Sequence, residues 1–64
     1  MVEGTVKFFN DRKNFGFIAG DDGTEYFVHQ SGLKEGVIIA EGDKVSFEVV
    51  QGDRGPKAEK VDKI

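Results

Sequence analysis

No stretch of about 11–18 residues in this chain repeats apolar side chains at i, i+3, i+4 and i+7, and this removes helical architectures from the outset. Short runs of β-forming residues take their place. Nine glycines and a single proline punctuate them. The pattern predicts strands at about 3–10, 15–19, 25–29, 44–50 and 57–63. Asn10-Asp11-Arg12-Lys13-Asn14, Gly20-Asp21-Asp22-Gly23 and Gln51-Gly52-Asp53-Arg54-Gly55 supply three of the connections. A longer stretch, 30–43, joins the third strand to the fourth. Five short strands with such tight turns point to a small closed or nearly closed barrel, because closure leaves no sheet edge free to aggregate. At 64 residues the chain is expected to be one domain, 1–64, of marginal stability.

Composition narrows function by exclusion. The absence of cysteine rules out disulfides, cysteine-based zinc sites and a thiol nucleophile. A single histidine rules out a multi-histidine metal centre. No metal or other cofactor and no small-molecule substrate is expected. Ser31 stands two residues from His29, but no third partner for a catalytic triad is evident, so an enzyme is not expected. Asp21-Asp22 reads as a solvated hairpin turn. The longest apolar run is Val37-Ile38-Ile39-Ala40, against ~20 residues for a membrane span. Residues 2–5 carry neither the basic nor the apolar region of a signal peptide, so a cytoplasmic monomer is the expectation. The net charge of −3 counts against nucleic acid only if the charges are spread evenly.

Side-chain alternation then sorts the faces. Phe15 and Phe17 point one way on the second strand, with Ile18 opposite. Phe27 and His29 point one way on the third, with Tyr26 and Val28 opposite. In a hairpin, Phe15, Phe17, Phe27 and His29 share one face. The other face supplies a core from Ile18 and Val28 against Val45, Phe47 and Val49, with Val6, Leu33 and Val61 available. A barrel this small has room for one such set, so the rings are expected outside. Each exposed phenyl forgoes roughly 1.5–3 kcal/mol of burial, and a contiguous apolar patch on a soluble protein marks a binding surface. Flat rings beside Lys7, Arg12, Lys13, Arg54 and Lys57 suit unpaired bases on a charged backbone, since a stacked base is worth ~1–3 kcal/mol whatever its identity.

These residues resemble the cold-shock domain family, in its small single-domain form. Gly4-Thr5-Val6-Lys7-Phe8-Phe9-Asn10 resembles the family's opening strand. Lys13-Asn14-Phe15-Gly16-Phe17-Ile18 and Tyr26-Phe27-Val28-His29-Gln30-Ser31 resemble its two ribonucleoprotein motifs. Val45-Ser46-Phe47-Glu48 and Arg54-Gly55-Pro56-Lys57-Ala58 resemble its fourth strand and last loop. The resemblance implies an all-β fold, a five-stranded antiparallel OB-fold barrel. It also implies binding of single-stranded RNA and DNA, and a chaperone role that keeps RNA unfolded in the cold. By position it implies a platform of Phe15, Phe17, Phe27 and His29, extended by Phe8, with Phe9 at its edge. Lys7, Lys13, Arg54 and Lys57 would meet phosphates, and Asn10 and Gln30 would offer hydrogen bonds.

Some positions depart from the family's pattern. Phe8 stands where tryptophan is usual, Asn14 where glycine is usual, and Gln30 where many members have an aromatic. The loop after Leu33 is about two residues shorter and carries Val37-Ile38-Ile39. Strict alternation would put Val6 and Phe8 on one side, so a bulge is expected near residues 7–9. Ala58 and Val61 raise the same conflict in the last strand. Two other functions fit parts of the sequence: a protein-interaction module docking through the rings, and a translation-initiation-factor-like OB-fold that contacts structured RNA by charge.

Overall fold

The computed structural model describes all 64 residues. Its strands are β1 (Val2–Asn10), β2 (Phe15–Gly20), β3 (Glu25–His29), β4 (Lys44–Gly52) and β5 (Gly55–Lys63). One 3-10 turn, Gln30–Gly32, follows β3, and there is no α-helix. No helix is long and apolar enough to cross a membrane. The strands close in the order β1-β2-β3-β5-β4, the all-β barrel that the sequence led us to expect. Four of the five pairings are antiparallel. The seam that closes the barrel, β3 on β5, is parallel and runs over Phe27↔Lys57 and Val28↔Ala58. An antiparallel barrel is thus the rule here with one exception. An odd number of strands permits it, since β5 returns antiparallel to β4 and so enters beside β3 in the same direction.

The core contains Val6, Ile18, Tyr26, Val28, Ile39, Val45, Phe47, Ala58 and Val61. Ile18, Tyr26 and Val28 face inward as their alternation requires, which turns Phe15, Phe17 and Phe27 outward. Tyr26 and Phe47 meet edge to face at 5.0 Å between centroids. Val49 is a correction: it was expected in the core and is exposed. The register of β4 against β5 shifts between Ser46 and Glu48, so that Glu59 and Asp62 pair on either side of Lys60 and Val61. Lys60 takes a left-handed backbone, φ 54°. This bulge lets Ala58 and Val61 both point inward. Val49 keeps the parity of Val45 and Phe47 and pairs with Ala58, but it stands past the last buried residue of β4 and is exposed there. Leu33 is half-buried rather than central, and Ile39, from the long connection, fills the core place instead.

The bulge expected in β1 is present. The β1–β2 register shifts between Val6 and Phe8, leaving Lys7 without a partner on β2. Val6 is therefore buried while Phe8 stands exposed. Asn14 adopts φ 60°, the left-handed turn that asparagine tolerates. Gly16 is needed for closeness rather than for φ. A Cβ there would strike the Phe8 carbonyl oxygen and come within 2.8 Å of Phe9 Cα.

Candidate nucleic-acid interface

Four phenyl rings meet on the outer face of β1, β2 and β3. Register does the positioning: Phe8 pairs with Phe17, and Phe17 with Phe27, across three adjacent strands. Ring centroids are 5.6 Å apart for Phe8–Phe17 and 5.8 Å for Phe17–Phe27. Phe15 lies 5.9 Å from Phe27, nearly parallel at 25°, and 6.4 Å from both Phe8 and Phe17. Neighbouring rings hold one another in place and leave their outer sides free.

His29 pairs with Phe15 at the end of the platform. The Ser31 backbone N–H donates to His29 Nδ1 at 3.1 Å, and Ser31 Oγ lies 3.0 Å from the same nitrogen. With Nδ1 accepting, the neutral imidazole carries its proton on Nε2 and keeps that donor free. Phe9 is set apart from the four rings. It packs against the core and lines a cavity of about 300 Å³ with Asn14, Gln30, Leu33 and the 37–39 segment. Asn10 is partly committed as well, since its Oδ1 accepts from the backbone N–H groups of Arg12 and Lys13. Only its amide NH₂ remains to offer a ligand.

Charge around the rings is uneven. Six lysines are ion-paired, among them Lys7 with Glu25 at 2.9 Å and Lys57 with Glu59 at 3.5 Å. The three cations without a carboxylate partner are Arg12, Lys13 and Arg54. Arg12 and Lys13 are in the turn that delivers Phe15, and the Arg54 guanidinium lies 5.6 Å from the centre of Phe27. A molecule with net charge −3 thus keeps its unpaired side-chain cations in two turns, β1–β2 and β4–β5. A cavity of about 400 Å³ opens beside Phe27, lined by Val50, Asp53, Arg54, Lys57 and Glu59 among others. Val50 and Glu59 were not expected at the site. Val50 alternates outward on β4 and pairs with Lys57, and Glu59 stands two residues past Lys57 on β5; both line the cavity through pairings that strand alternation alone does not reveal.

A closed five-stranded barrel carrying an outward aromatic cluster, with the unpaired Arg54 over one of its rings, defines a small β-barrel binding domain of the OB type. Comparison with known proteins places it more closely. The sequence matches the 'Cold-shock' DNA-binding domain family over residues 2–64, and the chain belongs to that family. The cold shock-like protein CspLB of Listeria monocytogenes is 52% identical over 100% of both chains. Cold shock protein 2 of Lactiplantibacillus plantarum is 51% identical, covering 95% of this chain and 96% of its own. Cold shock protein CspB of Bacillus caldolyticus is 47% identical over 100% of both.

Proposed function

We propose that this protein binds single-stranded RNA and DNA by stacking unpaired bases on Phe8, Phe15, Phe17, Phe27 and His29, and so acts as an RNA chaperone in cold adaptation. Membership of a family described as a cold-shock DNA-binding domain supports nucleic acid as the ligand. One observation carries the finer reading: four outward phenyl rings in mutual contact, with the unpaired Arg54 over Phe27 and the unpaired Arg12 and Lys13 in the turn that leads into Phe15. Bases within a duplex are already stacked on one another and cannot reach such rings. Lys7, Lys13, Arg54 and Lys57 meet phosphates, while Asn10 and Gln30 supply hydrogen bonds and Phe9 acts from the neighbouring cavity.

Magnitudes fit a chaperone. A base stacked on an aromatic is worth ~1–3 kcal/mol, close to the ~1.4 kcal/mol of one duplex stacking step. A few stacked bases therefore hold open a weak hairpin and leave a long duplex intact. The reading is tested by titrating a labelled T-rich single strand and its own duplex at low and moderate salt. Strong preference for the single strand is expected, falling with a slope of about −2 in log–log salt for three fully neutralised phosphates, the fourth contact, at Lys57, being offset by its pairing with Glu59. Equal binding to both forms, lost with salt, would replace stacking with charge alone. Binding to neither would turn attention to a protein partner for the rings.

A further inference from the structure

Lys57 and Glu59 flank the buried Ala58 on β5 and therefore face outward together, on the side of the rings. The parallel seam sets Lys57 level with Phe27, and Glu59 lines the same cavity as Phe27, Arg54 and Lys57. An acidic side chain thus stands within the binding face. Its pair with Lys57 is the least exposed of the six ion pairs, at 31% and 34%. Glu59 Oε2 is buried with no hydrogen-bond partner, pressed against Gly32, where an added Cβ would lie 2.9 Å from it. Glu48 stands directly across the β4–β5 pairing, so two like charges oppose one another. The barrel gains little from a carboxylate held in this way. Lys57, by contrast, is withheld from any other anion.

Resting on the reading that this face takes single strands, we propose that Glu59 is a specificity-determining residue which competes with the strand's phosphates for Lys57. A phosphate that approaches Lys57 must displace the carboxylate and lie beside its charge. Ligands held by charge alone lose most from this, and ligands held by stacking lose least. Glu59 therefore lowers affinity for any polyanion, speeds release, and widens the preference for unpaired bases over duplex.

The test is Glu59→Gln, which removes the charge and keeps the shape, titrated with a labelled T-rich single strand and its duplex across a salt series. Glu3→Gln, at the far end of β1 from Phe8, makes the same change in net charge away from the rings. Glu59→Gln is expected to bind the single strand roughly two- to fivefold more tightly, with a larger relative gain on the duplex. Its salt slope should steepen by about 0.7, one further phosphate contact. In a Lys57→Gln background the gain should vanish. A gain no greater than that of Glu3→Gln, a loss of affinity, or a full gain without Lys57 would each overturn the proposal. So would a lower thermal midpoint for Glu59→Gln, which would make the pair a structural tie. Absence of binding by the unaltered protein would instead remove the single-strand reading on which the proposal rests.

Discussion

Phe27 gathers most of the site into one side chain. It stacks on Phe15 at 5.9 Å, meets Phe17 at 5.8 Å, and lies under Arg54 at 5.6 Å. Its ring touches the platform rather than the core, so Phe27→Ala should cost binding more than folding. A loss of about 1–3 kcal/mol in single-strand affinity, roughly 5- to 150-fold, is expected. The drop in unfolding free energy by urea titration should be smaller, and an equal drop in both would return the ring to a core role. At this scale the sequence was informative wherever one strand decides the outcome. Alternation alone put Phe15, Phe17, Phe27 and His29 on one side, and asparagine's tolerance of positive φ anticipated Asn14. What stayed hidden depends on distant parts of the chain. Nothing near Glu59 in sequence says that it will share a cavity with Phe27 and Arg54, because the β3–β5 seam that brings β5 beside the rings joins distant parts of the chain.

At the scale of elements, the five strands were legible to within two residues at each end, because turn residues mark the boundaries. Pairing and bulging were harder. The conflict between Val6 and Phe8 did point to an irregularity in β1, which the structure places at Lys7. The corresponding conflict in β5 is resolved at Lys60, opposite Phe47. Val49 lies beyond it, paired with Ala58 where β4 runs past the core, and is exposed there. Lys60 holds φ 54° without being glycine. A side chain in that conformation costs about 1–2 kcal/mol, whereas glycine within a strand costs roughly 0.5–1 kcal/mol. The Lys60–Glu48 ion pair is well exposed on both sides and contributes little. Lys60→Gly should therefore raise unfolding free energy by roughly 0.5–1 kcal/mol. Urea unfolding with an unchanged m-value checks this, and a decrease would mean that the bulge is not strained.

For the whole molecule, two carboxylates in turns make stability depend on pH at the acid end. The Tyr26 hydroxyl donates to Asp22 Oδ2 at 2.6 Å, and the Thr24 N–H donates to the same carboxylate. Together they hold Asp22 below its ordinary 3.8. Asp43 is lowered as well, first by the Ala40 N–H and then by Lys63. Below 3.8 the unfolded chain takes up these protons before the folded one does, so stability is full above that pH and is lost as pH falls through the folded values. The same bond raises Tyr26 above 10.0, so the unfolded phenol ionises first and stability declines again as pH rises past that point. Tyr26→Phe should remove the tyrosine's share of the alkaline decline and shrink the acid decline without abolishing it, since the Thr24 N–H still lowers Asp22 and Asp43 is untouched, read as urea midpoints across the pH range. The shape of the barrel has a further consequence. Its closing seam is also its shortest, covering only Phe27–Val28 against Lys57–Ala58. A strand lying on the rings and reaching Arg54 and Lys57 would span that seam from outside, as a splint spans a break. Amide hydrogens there should exchange fastest among the strands of the free protein and slow most when a single strand is bound. The ligand would then serve as the missing length of the sheet.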